Sequence, residues 1–254
     1  MNSTSPLIQL RSLYKQFGRQ GVLNNLNLDI YPGEILAVVG RSGTGKSVLL
    51  KHICGLLRPE RGQVIIDGED MLLARGRRLA QLRDRFGVLF QGGALFDSMT
   101  VAANIAFPLR EKTKMTAAEI NQAVKSMLHD VGLADVEDKY PAELSGGMRK
   151  RVALARALAP HPDIMLFDEP TTGLDPILVS AIHQLIDDTH AQFGYTAVVV
   201  SHEIPRIFDV ATRVAMLHDG AIIESAEPEA FRQSRNPVVQ QLISGHLEGP
   251  LRVM

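Results

Sequence analysis

The apolar residues of this chain gather into short, dense runs divided by polar turns. Glu34–Val39, Ile164–Asp168 and Thr196–Ser201 are apolar on both faces and rich in branched side chains, the pattern of parallel strands buried on two sides. Each is expected to lead into a helix. The first opens a helix over Lys46–Leu57; the third precedes one over Glu203–Ala211, with Pro205 in its first turn, where proline is tolerated. Leu7–Ile30 alternates apolar and polar residues as an antiparallel strand pair does, and Gln63–Asp67 ends in the turn signal Asp67-Gly68. Arg213–Leu217 and Ala221–Glu224 flank Asp219-Gly220, a hairpin signal. Between Gln91 and about Pro160 the spacing becomes helical. Thr116-Ala-Ala-Glu119 is a capping box, followed by Ile120, Val124, Met127 and Leu128 on one face. The pattern predicts an α/β core over residues 1–90 and 161–245, an inserted helical lobe over 91–160 and a tail over 246–254, with Gly245–Met254 loosely held.

Composition narrows the setting. No run approaches the roughly 18 to 20 apolar residues that cross a bilayer, and Met1–Pro6 lacks the charged head and apolar core of a secretory signal. Any membrane role is therefore expected to run through a partner. The 27 basic and 28 acidic residues leave a net charge of −1, which withholds the basic footprint of nucleic-acid binding, so no nucleic-acid partner is expected. The single cysteine, Cys54, cannot form an internal disulfide, in keeping with a reducing cytosol. Arg75, Arg77, Arg78, Arg83 and Arg85 invite contact with an anionic lipid or a partner, but a solvated loop and helix face is the plainer reading.

Gly40-Arg41-Ser42-Gly43-Thr44-Gly45-Lys46-Ser47 has the spacing of a phosphate-binding P-loop, placed between a buried strand and a helix. Its glycines let the backbone wrap around phosphate oxygens, and the helix N-terminus adds a favourable dipole. Lys46 is expected to reach the β- and γ-phosphates, and the Ser47 hydroxyl to coordinate Mg²⁺. The run Ile164–Phe167 ends in Asp168 and Glu169. Strand alternation would point these carboxylates to opposite sides, so they should do different jobs. Asp168 is expected to hold Mg²⁺ and Glu169 to polarise the attacking water. His202 follows another buried strand at the edge where parallel sheets bind ligands, placed to donate to a γ-phosphate. Ser145 reads as the N-cap of a helix running to Leu158, and Gly146 and Gly147 expose backbone donors at its head.

Taken in order, these segments resemble the ATP-binding-cassette (ABC) family over nearly the whole chain. The matching motifs are the P-loop Gly40–Ser47, the Q-loop glutamine Gln91, the signature Leu144–Met148, the Walker B run ending in Asp168-Glu169, and the switch histidine His202. Thr172-Gly-Leu174-Asp175 is similar to the family's D-loop. Phe17, before Gly18, aligns with the aromatic that stacks on adenine, and Tyr14 is a weaker match. The resemblance implies a RecA-like P-loop NTPase core with an antiparallel β subdomain and an inserted helical signature subdomain. It also implies ATP and Mg²⁺ as cofactors, with Gln91 added to the metal site and Asp175 to the nucleotide-facing set. Two copies would pair head to tail, with Ser145, Gly146 and Gly147 of one facing the γ-phosphate held by Lys46 of the other. Gly92–Thr100 would form part of a groove for a membrane partner.

Met148 stands where the family usually has glutamine. Together with Gln91-Gly-Gly-Ala-Leu-Phe-Asp97 and Ala106-Phe-Pro-Leu-Arg-Glu-Lys-Thr113, it looks like the ATPases of Mla-type phospholipid transport, whose pattern the MCE-type lipid importers share. That resemblance implies a permease dimer, a periplasmic MCE-type lipid-binding ring and a small cytosolic accessory subunit, assembled at the bacterial inner membrane with this chain on its cytoplasmic face. An ABC importer for amino acids or other small solutes is the alternative. A soluble ABC ATPase acting on DNA or ribosomes is the third, although neither a second cassette nor a long coiled-coil insertion is present.

Overall fold

The structure, a computed structural model, describes residues 5–251. Residues 1–4 of the Met1–Pro6 stretch and residues 252–254 of the expected tail lie outside the described residues. The N-terminal alternation yields β1 (Ile8–Phe17) and β2 (Gln20–Ile30), antiparallel with Ile8 opposite Ile30. Leu10, Leu13, Leu26 and Ile30 point inward and are fully buried. β3 (Ile35–Val39) is buried at every position and leads through the P-loop into α1 (Lys46–Ile53). This helix stops short of the expected Leu57, because Gly55 adopts φ +69° just beyond its end. β4 (Arg61–Ile66) and β5 (Glu69–Asp70) complete an antiparallel sheet of order β2-β1-β4-β5, and α2 (Gly76–Asp84) follows.

Next come β6 (Phe86–Leu89), α3 (Val101–Lys112), α4 (Ala117–Asp130), α5 (Gly146–Leu158), β7 (Ile164–Asp168) and α6 (Pro176–Phe193). The chain ends with β8 (Thr196–Ser201), β9 (Arg213–His218), β10 (Ala221–Ala226), α7 (Pro228–Arg232) and α8 (Pro237–Ser244). Two compact units result. One takes the chain up to Arg83 together with the chain from Thr196 onward; the other is Asp84–Tyr195.

In the first unit β3 lies between β8 and β9, parallel to both, with Val39 beside Ser201 on one side and Met216 on the other. The β9–β10 hairpin turns at Asp219 (φ +47°) and Gly220 (φ +78°), the left-handed pair that its sequence foretells. The Arg213 guanidinium bonds both oxygens of Glu34, at 2.6 and 2.9 Å, and the Asp29 carbonyl, tying the end of β2 and the start of β3 to β9. In the second unit β6 and β7 run parallel, with Leu89 beside Phe167, and α3, α4 and α5 pack on one another. Both halves of the Thr116–Glu119 capping box form.

Two further expectations fail. Only a 3₁₀ turn, Arg206–Asp209, forms within Glu203–Ala211. Ile204, Ile207, Phe208 and Ala211 do stand at helical spacing, but Pro205 disfavours the helical conformation at Ile204 and has no N–H to give, and the N–H groups of Phe208 and Val210 reach back only three residues, to Pro205 and Ile207. Nor is the tail loose as far as Leu251, which is 6% exposed. The buried Gln241 amide accepts from the Leu251 N–H at 2.7 Å and donates to the carbonyls of Leu251 and His246. The arginine cluster proves dispersed. Arg75 bonds the Leu72 and Ala74 carbonyls, Arg78 pairs with Glu69, Arg83 bonds the Gly55 carbonyl, Arg85 pairs with Asp163, and Arg77 is exposed on α2.

His52 on α1 is fully buried. Its Nδ1 donates to the Val48 carbonyl at 2.7 Å, and its Nε2 is a buried acceptor without a hydrogen-bond partner. Burial lowers its pKa from the ordinary 6.5. Below that value the unfolded chain takes up a proton that the folded protein resists, so this residue makes stability fall as the pH drops. The urea midpoint of His52→Leu should therefore decline less than that of the wild type between about pH 7.5 and pH 5.5. Parallel declines would exclude His52 as a source of acid sensitivity.

Candidate functional site

The turn from β3 into α1 depends on missing side chains. Gly40 has φ +156°, and a Cβ there would lie 2.5 Å from the Leu217 carbonyl oxygen; Gly45 has φ +99°, and its Cβ would lie 2.7 Å from Val22 Cγ1. Backbone therefore curls where no other residue fits. Lys46, the first residue of α1, is 4% exposed, and its ammonium sits 2.9 Å from the carbonyls of both Gly40 and Arg41. Thr44 Oγ1 closes the loop by donating to Arg41 O at 2.9 Å. The first N–H groups of α1 lie at the head of this curl, a site suited to phosphate. A cavity of about 390 Å³ is lined by Arg41, Ser42, Gly43 and Thr44, with Val22 and Gly220 on its walls. A second, of about 540 Å³, shares Val22 and Asp219 with it and extends to Tyr14, Lys15 and Glu60.

Phe17 ends β1 and is 48% exposed. Lys15 Nζ lies 5.2 Å from its ring centroid and is held by Glu60 at 2.8 Å, so a fixed cation backs the ring. Tyr14, the weaker aromatic match, lines the larger cavity. His202 is the first residue beyond β8, with its side chain 42% exposed. Because Val39 pairs with Ser201, the P-loop and His202 leave the same sheet edge. The structure thus brings these two motifs together.

The second unit repeats that arrangement with other chemistry. Leu89 pairs with Phe167, so Gln91, beyond β6, and Asp168, the last residue of β7, also leave one edge. Asp168 is 8% exposed. Glu169 does not follow strand alternation: it takes φ +48°, and Thr172 Oγ1 donates to its Oε2 at 2.9 Å. A left-handed turn, not the pleat, therefore separates the two carboxylates. Such a backbone costs a non-glycine residue on the order of 1 kcal/mol or more. Ser145 caps α5 as expected, accepting from the Met148 N–H at 3.3 Å. Gly147 is buried, and a Cβ on it would lie 3.3 Å from Leu178 Cδ2. Asp175 caps α6, its Oδ1 accepting from the N–H groups of Ile177 and Leu178. A cavity of about 220 Å³ is lined by Gln91, Gly146, Lys150, Thr172 and Leu174.

Several contributors escaped the reading of the sequence. Lys150 sits in a basic run that looks solvated, yet it is 8% exposed and donates to the Gln91 carbonyl. Burial lowers its pKa, and the charges of Asp168 and Glu169 work against that shift. The available signal was its spacing from Gly147 and Leu154, which puts a lysine on the buried face of α5. Thr172 and Val22 carried no signal beyond their proximity to motifs. Ser47 in the first unit carries a hydroxyl oxygen, and Gln91 and Asp168 in the second carry an amide and a carboxylate oxygen; each is a hard donor of the kind Mg²⁺ takes.

A profile of the ABC transporter family matches residues 23–172. The chain is 45% identical over 244 residues to a probable ribonucleotide transport ATP-binding protein of Mycobacterium leprae, covering 96% of this chain and 70% of that protein. It is 40% identical over 246 residues to the intermembrane phospholipid transport system ATP-binding protein MlaF of Haemophilus influenzae, covering 97% and 93%. Among solved structures, a dimeric ATP-binding cassette in a post-hydrolysis state bound to ADP and Pi is similar with a TM-score of 0.79. It shares 32% identity, and the match covers 87% of this chain and 98% of that one.

Gly45→Ala should lower folding stability by about 1–3 kcal/mol, since it places a Cβ at a left-handed backbone and against Val22. Denaturant unfolding checks this. Wild-type stability would mean that the loop yields and that its shape does not depend on glycine.

Proposed function

This chain belongs to the ABC transporter family, and from that premise we propose that it is the ATP-hydrolysing subunit of a system moving phospholipid between bacterial membranes. The observation that carries the reading is the near full-length match, in both directions, to a phospholipid-transport ATPase, on a chain whose P-loop requires its glycines. In this reading Gly40–Ser47 cradle the triphosphate, with Lys46 on the β- and γ-phosphates, and Phe17 stacks on adenine. Ser47, Gln91 and Asp168 would hold Mg²⁺, which would supply neutralisation of charge on the phosphate oxygens. Glu169, oriented by Thr172, takes the proton of the attacking water as the bond from the γ-phosphorus to the bridging oxygen breaks and ADP leaves. His202 donates to the γ-phosphate.

Ser145, Gly146 and Gly147 serve a second copy's nucleotide. Their donors stand at the head of α5, a positive helix end suited to phosphate. Asp175, as the cap of α6, fixes the D-loop beside the nucleotide. ATP then joins two chains, and cleavage releases them. Residues 91–160 act as the signature lobe and, through Gly92–Thr100, meet a permease dimer from the cytoplasmic face of the inner membrane. A periplasmic lipid-binding ring and a small accessory subunit complete the proposed assembly. No helix among the described residues is long and apolar enough to cross a membrane, so the reading assigns the crossing to the permease.

A second reading follows from the Mycobacterium leprae relative, a probable ribonucleotide transport ATP-binding protein. Purification of the native complex separates the two. Phospholipid bound to the membrane-embedded chains supports the first reading, and bound nucleotide cargo with no lipid dependence of ATPase supports the second.

Glu169→Gln should keep ATP affinity and lower hydrolysis at least about 100-fold, the range for loss of a general base, trapping an ATP-bound dimer. Turnover at the wild-type rate would remove Glu169 from catalysis. Ser145→Arg should leave ATP binding by the single chain intact and prevent ATP-dependent dimerisation, as read by sedimentation. Dimers forming as before would refute the shared site.

A further inference from the structure

Three contacts fasten the loop after β6 to helix α5. Lys150 donates from its ammonium to the Gln91 carbonyl. Gly93 approaches the helix so closely that a Cβ on it would lie 3.3 Å from Ala153 Cβ. Arg156 donates to the Ala94 carbonyl at 2.6 Å and lays its guanidinium 4.6 Å from the Phe96 ring centroid. Positions 150, 153 and 156 recur at nearly one helical turn, so a single stripe of α5 carries all three.

Lys150 is the unusual member. It is 8% exposed, so its charge is withdrawn from water, and such burial is costly unless the ammonium has specific partners. A plain core role would be filled better by methionine or leucine. What lysine adds is a charged donor long enough to reach the backbone of the residue bearing the glutamine, in the field of two carboxylates.

We propose that Lys150 is a positioning residue for ATP hydrolysis: it pins the Gln91 backbone to α5, so that Gln91 and the Ser145–Gly147 donors at the head of that helix take their places as one body. This rests on the reading of Gln91 as a group of the metal site. The far anchor, Arg156 with Phe96, makes the same strap continuous with the segment assigned to the permease. A displacement felt at Phe96 is thereby passed to Gln91 and to the signature, because both are fixed to one helix.

The test compares Lys150→Met, Lys150→Arg, Gln91→Ala and the double variant Lys150→Met/Gln91→Ala in the purified full-length chain, by steady-state hydrolysis of Mg-ATP. Lys150→Met should lower kcat about tenfold with the KM for ATP unchanged, since misplacement, not binding, is at fault. Lys150→Arg, which keeps charge and donors, should retain most of kcat. In the Gln91→Ala background the Lys150→Met change should cost nothing further, because both remove the same placement. An unchanged kcat in Lys150→Met, or losses that multiply in the double variant, overturns the proposal. Should Lys150→Met fold poorly by circular dichroism, Arg156→Met answers instead: a lower kcat that disappears in the Gln91→Ala background supports the strap, and a multiplying loss refutes it. Wild-type hydrolysis by Gln91→Ala would sink the reading of Gln91 itself and the proposal with it. A slow Gln91→Ala beside a silent Lys150→Met would sink the positioning role alone.

Discussion

Backbone amides can surround a polyphosphate only where side chains stay out of the way, and that exclusion is the constraint on which this structure turns. Gly40 and Gly45 meet it at left-handed backbone positions with a carbonyl and a valine pressed against them. The loop is then held from within by Lys46, whose ammonium bonds the Gly40 and Arg41 carbonyls. Everything around the loop serves its placement. β3 is buried on both faces and flanked by parallel neighbours, so its end is fixed and α1 begins at a defined point. Such a scaffold lets a mobile polyanion meet donors already in position, which is where electrostatic binding is strongest.

The same economy governs the second unit, where helix heads and strand ends carry the functional groups. Ser145 and Asp175 are caps before they are anything else. Their side chains satisfy orphan N–H groups of α5 and α6, which fixes the signature and the D-loop at helix starts. A residue that holds up a helix end and, in the proposed reading, also faces a ligand is constrained twice, so its substitution should disturb structure and chemistry together.

Wherever a local rule was sufficient, the sequence was legible. β3 and the P-loop announced themselves by composition and spacing, the α4 cap by its Thr-x-x-Glu pattern, and the β9–β10 turn by Asp219-Gly220. What was lost depended on distant partners or on backbone conformation that side-chain patterning does not report. Lys150 looks solvated until the carbonyl of a residue far away in sequence is seen to receive it. Glu169 leaves the pleat for a left-handed turn that alternation cannot foresee. Leu251 is anchored by a single glutamine amide on α8, which no periodicity encodes. Around Ile207 and Phe208 the helical reading discounted Pro205, which disfavours a helical Ile204 before it and leaves only a 3₁₀ turn after it.

The Arg213 clamp has a consequence for how a ligand is gauged. By gripping Glu34 and the Asp29 carbonyl it welds the hairpin bearing Phe17 to the strand that ends in the P-loop, and the Asn24 N–H bonded to Gly220 O at 2.9 Å adds a second weld. In the proposed reading, where Phe17 takes the base, that ring and the P-loop are the two jaws of a caliper whose opening the fold sets in advance. A molecule is measured by its length as well as its ends, and a base tethered by too short or too long a polyphosphate would reach only one jaw.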